Sequence, residues 1–424
     1  MPLSDKLSTG TARVHPVAHD SPRHFLHDQK EIRHLEESRV KHFFKKYFLE
    51  GQRLNDKLQE KIATRGRENL PFHEKYRKYF AFLIPFCFFQ LCWWSLAIRN
   101  DLFALYPTRY EMAITMILGA LVSGATSEGG GAVAFPVMTL LLHIPSSVAR
   151  DFSLMIQSCG MAASSFTVVY MKVKVEWHSI VFSSLGAFFS IIIGLQFLDD
   201  VIDGSQKKMV FVSIWFAFAI SLLILNTQRK RITYDSIPNF GPKKALILFA
   251  TGLFGGLLSA WTGSGVDICS FSMLTLLFRV SEKVATPTSV ILMCLNTWVG
   301  FYWRQLMQKD VSQLAWEYFS VSVPVASTCS PIGALLSSHL HRQVLASFVY
   351  ILETTALIGF LITRPAWYLI VIGFGIIAVA VLFFLIISRV GREMSDRIED
   401  EKTQQMSPPT ASTDSTIFTV EPAA

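Results

Sequence analysis

The run Ser127-Glu128-Gly129-Gly130-Gly131 places a carboxylate and three successive glycines inside an almost wholly apolar segment, Ser127 to Ala149. A carboxylate is expensive in apolar surroundings, and a glycine costs a helix roughly 1 kcal/mol relative to alanine. A chain that needed only a lipid-soluble rod would use neither. Three glycines let main-chain N–H groups turn inward and let a solute approach the backbone. If a helix starts at this point, the positive end of its dipole faces the same spot. An anion could then bind without a fixed lysine or arginine. The competing reading is close helix packing, which small residues also permit.

The same chemistry returns once. A shift of 136 residues aligns Gly129 with Gly265, Thr139 with Thr275, Val148-Ala149 with Val284-Ala285 and Ser153 with Ser289, and sets VMTLLL against MLTLLF. The chain therefore contains an internal repeat, with Thr262-Gly263-Ser264-Gly265 at the second joint. Candidate substrate-binding residues are Ser127, Gly129, Gly130 and Gly131 in the first copy and Thr262, Gly263, Ser264 and Gly265 in the second. Gln157 and Asn296, in the third apolar segment of each copy, join them, with Ser158 and Thr297 beside them. Such polar residues either line a pathway or hydrogen-bond one helix to another.

Glu128 and Asp267 would repel a bound anion. Either they carry a proton or a cation that travels with it, or they pair with a base such as Arg150. They are the proton-coupling candidates. Glu353, mid-segment in VYILETTALIG, has no matching acid in the first copy and reads first as a helix–helix hydrogen bond and second as a relay. The six cysteines, Cys87, Cys92, Cys159, Cys269, Cys294 and Cys329, lack zinc-ligand spacing and read as small apolar residues. His339-Leu340-His341 has no companion histidines, and H-E-x-x-H, G-x-S-x-G and a Walker lysine are missing. No enzyme chemistry, metal or cofactor is expected, and an ATP-driven pump would need a nucleotide domain.

The elements that must hold these residues are apolar helices. Of 424 residues 51% are hydrophobic and 17% charged, against about 25% charged in soluble domains. Residues 1–79 carry 17 Lys and Arg against 11 Asp and Glu, a surplus of six out of the net +7. That asymmetry is no argument for nucleic acid; it describes a basic cytoplasmic arm at an anionic lipid surface. Residues 28–66 of the arm have amphipathic helical spacing, and no apolar leader follows Met1. Residues 80–98 form a charge-free run of the length that crosses about 30 Å of hydrocarbon, with Trp93 and Trp94 where an interfacial belt would sit. Repeat 1 spans 110–225 and repeat 2 spans 243–362, each with about five segments, around a basic linker at 226–242. A last span covers 366–388, and the polar tail 389–424 reads as disordered and cytoplasmic.

The segments before and after the first joint, 110–126 and 129–143, reach only about 22–26 Å each, short of a span. The glycine joint therefore reads as a helix break at membrane depth, and Pro136 is expected to bend its segment. With one crossing before repeat 1, parity makes the two copies enter the membrane from opposite sides, whether or not their first two segments are re-entrant. The expected fold is an all-α polytopic membrane protein of two inverted repeats with one extra span at each end and both termini cytoplasmic.

The run Ser127-Glu128-Gly129-Gly130-Gly131, then Phe135-Pro136, Ile144-Pro145 and Val148-Ala149, resembles the sulfite exporter TauE/SafE family of membrane permeases. The resemblance covers roughly residues 110–362. It implies transport of small sulfur-containing anions such as sulfite or organosulfonates. The departures are Ser127 at the first glycine of the family motif, Val266 and Asp267 at the last two glycines of the second copy, and Ser272 at its proline. The expected function is a secondary permease for a small anion, with proton coupling an open question. A passive channel and a transport-inactive scaffold acting through the arm are the alternatives. Oligomeric state is not legible.

Overall fold

A computed structural model describes residues 72–126, 128–227, 232–337 and 342–406. The amphipathic stretch 28–66, Ser127 and His339–His341 lie outside the described residues. The described chain forms twelve main helices: α1 (Arg77–Arg99), α2 (Tyr106–Ala125), α3 (Gly131–Leu141), α4 (Ser146–Tyr170), α5 (Trp177–Ile193), α6 (Gly204–Thr227), α7 (Pro242–Thr262), α8 (Val266–Leu277), α9 (Glu282–Tyr302), α10 (Gln313–Ser337), α11 (Arg342–Ile362) and α12 (Trp367–Met406). Eight of the described helices are long and apolar enough to cross a membrane, while α3 and α8 are too short. Large apolar side chains such as Leu91, Ile98, Val371, Val379 and Leu382 are exposed on the outside. An all-round apolar helix with such an exterior belongs in lipid, and in lipid main-chain groups must be satisfied within the segment. The chain is an all-α, multi-pass membrane protein.

The 136-residue shift holds for helix starts as well as residues. Tyr106 and Pro242, Ser146 and Glu282, and Trp177 and Gln313 each open equivalent helices. Both short helices end in a π-helical turn, Val137–Leu141 and Met273–Leu277. Both are then stopped by a left-handed residue, His143 (φ 53°) and Arg279 (φ 55°). Ile144 N–H donates to Met138 O and Val280 N–H to Leu274 O, each at 2.8 Å. The second copy makes its π-turn after Ser272, where the first has Pro136. A proline is therefore not required for such a turn.

Helix pairing obeys the same exchange. α2 packs on α10 and α7 on α5, the pairs that interchange under the shift. Small residues let the backbones approach: a side chain at Gly124 would run into the carbonyl of Ser330, and one at Gly252 into that of Ser183.

Contacts between chain ends fix the path. Tyr234, in the linker before α7, receives Ser281 N–H at 2.9 Å and donates its own N–H to Arg279 O at 2.8 Å. The end of α8 thus returns to the end of the bundle from which α7 starts. The α4–α5 connection lies there too, where Glu176 Oε2 accepts from Ile237 N–H at 2.8 Å. At the opposite end, Lys208 at the start of α6 donates to Thr139 O of α3 at 3.0 Å. Arg109 of α2 meets Glu317 at the start of α10 at 3.0 Å. So α2–α3 and α7–α8 are two hairpins that dip in from opposite ends, and the remaining helices run end to end.

Two local expectations change. Trp93 does not face an interface: its Nε1–H donates to Ser320 O at 2.8 Å and the ring is buried, whereas Trp94 is exposed. The tail expected to be disordered from 389 continues α12 as far as Met406. That extension is anchored where Arg279 donates to Ser388 O and where Tyr234 Oη and Ser395 Oγ share a 2.9 Å hydrogen bond.

The path predicts a labelling pattern. In a cysteine-free background, Asp235→Cys and Glu282→Cys should react with an impermeant maleimide from one face of sealed vesicles, and Asp310→Cys from the other. Labelling of Glu282→Cys together with Asp310→Cys would mean that α7–α8 crosses rather than returns.

Candidate functional site

Each hairpin breaks at its tip. α2 ends at Ala125, Thr126 is extended, Gly129 turns left-handed (φ 64°) and α3 begins at Gly131. α7 ends at Thr262, Gly263 is left-handed (φ 82°) and α8 begins at Val266. At Gly263 a β-carbon would also sit 2.8 Å from Arg150 O and 2.6 Å from Ser153 Cβ. At Gly129 it would collide with Met293 and Gln157. Both positions therefore require glycine for conformation and for space.

The two joints meet. A β-carbon on Gly131 would lie 3.1 Å from Ser264 Cβ and 2.7 Å from Gln157 Nε2. Gln157 of α4 ties the joints together: its Nε2 donates to Gly263 O and to Ser153 O, both at 2.9 Å. Gly130 is less confined, with its nearest approach 3.3 Å from Met116 Cε. Gly265 instead packs backbone to backbone against Gly255 of α7, where a β-carbon would be 2.8 Å from Gly255 O. The glycines are thus divided between the two readings, Gly265 serving packing and Gly131 facing the opposite joint.

Paired threonines close the broken ends. Thr126 Oγ1 accepts from Glu128 N–H at 3.3 Å, and Thr262 Oγ1 donates to Ser264 O at 2.8 Å. Asp267, where the first copy has Gly131, lies in the first turn of α8 and accepts from Ser264 Oγ at 3.0 Å. A carboxylate there faces the positive end of the helix dipole. The acid of the second joint therefore has a side-chain donor, and Glu128 of the first has none among the described residues.

Asn296 does not reach the joints. Its Nδ2 donates to Leu292 O at 2.6 Å and faces Ser184 of α5 at 3.5 Å. Ser158 and Thr297 hydrogen-bond within their own helices. The residue equivalent to Gln157 is Met293, which contacts the Gly129 turn. Thr126 and Met293 are the site residues that sequence reasoning missed. The 136-residue shift applied to Thr262 and Gln157 would have found both.

Arg150 is not a partner for Glu128 or Asp267. It is fully buried and bonds Asp151 at 2.9 Å and Asp199 at 2.5 Å. Asp151 in turn holds Arg304 of the α9 extension through two hydrogen bonds of 2.7 and 2.9 Å. Arg304 reaches Asp310 at 2.9 Å, and Lys207 reaches Asp199 at 2.5 Å. Arginine's planar fork suits such bidentate buried pairs. The bases of this network are committed to their own acids. Glu128 and Glu353 are both fully buried, and neither has a hydrogen-bond donor on either carboxyl oxygen among the described residues. Glu353 therefore receives no hydrogen bond from an amide or hydroxyl group among the described residues.

An apolar crevice of about 900 Å³ lies between α6, α7, α8 and α12, lined by residues such as Ile214, Phe254, Ile268 and Phe384. Its lining is almost wholly apolar, so it offers an anion few polar partners. Among the described residues no grouping of His, Cys, Asp and Glu could hold a metal ion.

Two interrupted helices meeting inside a multi-pass helical bundle define a membrane permease of the broken-helix type. A family model described as Sulfite exporter TauE/SafE matches residues 112–360, and the chain belongs to that family. No curated protein and no solved structure matches it.

Removing one member of a buried ion network leaves its partners uncompensated, at a cost of about 3–5 kcal/mol. Asp151→Ala strands Arg150 and Arg304 together, so the purified variant should melt well below the wild type. An unchanged melting temperature would show that the network does not hold α4 to the α9 extension.

Proposed function

We propose that the protein is a secondary permease for a small oxyanion of sulfur, such as sulfite or an organosulfonate, which binds at the first glycine joint and moves with a proton. The observation that carries this reading is the contact of Gly131 with Ser264 and Gln157, where two hairpins from opposite ends of the bundle touch. The start of α3 leaves main-chain amides without partners in their own helix. Those amides and the helix dipole supply positive potential where no side-chain cation stands. Ser264 and Gln157 border the joint from the opposite side, and Gly130 leaves room beside the turn.

The acids set the condition for binding. With Glu128 and Asp267 ionised, the joint repels an anion; with Glu128 protonated, it attracts one. Anion and proton therefore enter together. Rocking of one hairpin pair against the other would expose the joint to each end alternately. The basic arm and the basic linker support cytoplasmic termini through the positive-inside bias. A passive channel would use the same joint but would be indifferent to a proton gradient.

Reconstituted liposomes test this directly. Uptake from a panel of sulfite, thiosulfate, sulfate and sulfonates should include at least one sulfur anion and should rise when the anion side is acidified. Gly131→Val should reduce that flux at least tenfold with membrane insertion intact, because its side chain invades Gln157 and Ser264. Gly130→Ala should retain most of it. Equal flux in the two variants would place the substrate elsewhere.

A further inference from the structure

Glu353 has no counterpart in the first repeat, where the equivalent position is Ala217. It stands in the middle of α11, fully buried. α11 packs along α3, where a β-carbon on Gly359 would lie 3.6 Å from Leu140 Cδ1, and this packing carries Glu353 to the first joint beside Glu128, with Asp267 as the next acid. A hydrogen bond between two carboxyl groups exists only when one of them holds a proton. As two carboxylates they would face each other with no donor among the described residues on any of their four oxygens.

The remaining oxygens point the same way. Gln157 spends both its donors on Ser153 O and Gly263 O, which leaves its Oε1 buried at the Gly129 turn without a donor. Asp267 Oδ1 also lacks one. The joint is thus rich in unpaired acceptors. Buried acceptors left without a donor cost roughly 1–3 kcal/mol each, more for charged groups. A positive occupant removes that cost. Among the described residues no group of three or more His, Cys, Asp and Glu is placed to hold a metal ion, whereas a proton needs only two facing carboxyl oxygens.

Among the described residues the surroundings supply no competing base. α4 contributes the neutral Gln157 and α9 the neutral Met293. Arg150 and Arg304 are bonded to Asp151, Asp199 and Asp310. On α6, which packs along α11, Lys207 bonds Asp199, Lys208 bonds Thr139 O, and Asn226 bonds the Tyr350 hydroxyl. We infer that Glu128 and Glu353 share one proton, forming an acid pair at the first joint that is the coupling site, with Asp267 a neighbouring charge held by Ser264. The coupling role rests on the permease reading above; the proton site itself does not.

Infrared spectroscopy of the purified full chain in lipid nanodiscs reads a protonated buried carboxyl from its C=O stretch, without any transport. The wild type should show a band that disappears as pH is raised. Glu353→Gln and Glu128→Gln should each abolish it, because the new amide donates to the remaining carboxylate. Asp267→Asn should keep it. A band unchanged in either glutamine variant, or lost in Asp267→Asn alone, would overturn the assignment. Elution as a single species checks that each variant is folded. In liposomes, Glu353→Gln should lose stimulation by a pH gradient, because Glu128 is left without a proton to share; retained stimulation would overturn the coupling role. If the wild type moves none of the sulfur anions, the permease reading fails while the infrared result stands on its own.

Discussion

Main-chain amides and carbonyls cannot be left unpaired in hydrocarbon, and that constraint governs this structure. Each unsatisfied group costs several kcal/mol, so a helix may be interrupted at membrane depth only inside protein or around a polar cavity. The chain interrupts two. Both breaks lie at the tips of hairpins buried among full-length helices, and each is closed by a threonine one residue past the last full turn or at it, Thr126 and Thr262. Gln157 donates to a carbonyl of one joint and packs on the glycines of the other. Remove the surrounding helices and neither break would be tolerable.

The duplicated frame is symmetric, but its chemistry is not. Helix starts, π-turns and left-handed stops recur at one shift. The acids do not: Glu128 is matched by Ser264, Asp267 by Gly131 and Glu353 by Ala217. Asp267 settles at the start of α8 with a serine donor, while Glu128 and Glu353 have none among the described residues. A duplicated scaffold has thus diverged in where its acids stand and in what meets them, and a bare carboxylate among apolar side chains is costly.

Much of this was legible in the sequence because it follows from short-range rules. The apolar runs gave the helices, and the repeat gave the two glycine joints. What was not legible depends on three-dimensional neighbours. Arg150 read as a partner for Glu128 because both are charged residues in apolar segments, but its guanidinium faces Asp151 and Asp199. Asn296 read as a site residue from its segment alone; the helix rotates it toward Ser184. Glu353 lies far along the chain from Glu128, and only the packing of α11 makes them neighbours. Pro136 suggested a bend, yet the second copy makes the same π-turn without a proline.

The most direct test of the account is a cryo-electron microscopy map of the protein in nanodiscs at low pH with a saturating sulfur oxyanion. The account predicts density for the anion at the start of α3, within hydrogen-bonding distance of the Gly130 and Gly131 amides and beside Ser264. Density instead among Arg150, Arg304 and Lys207, with the glycine joints closed and empty, would contradict it.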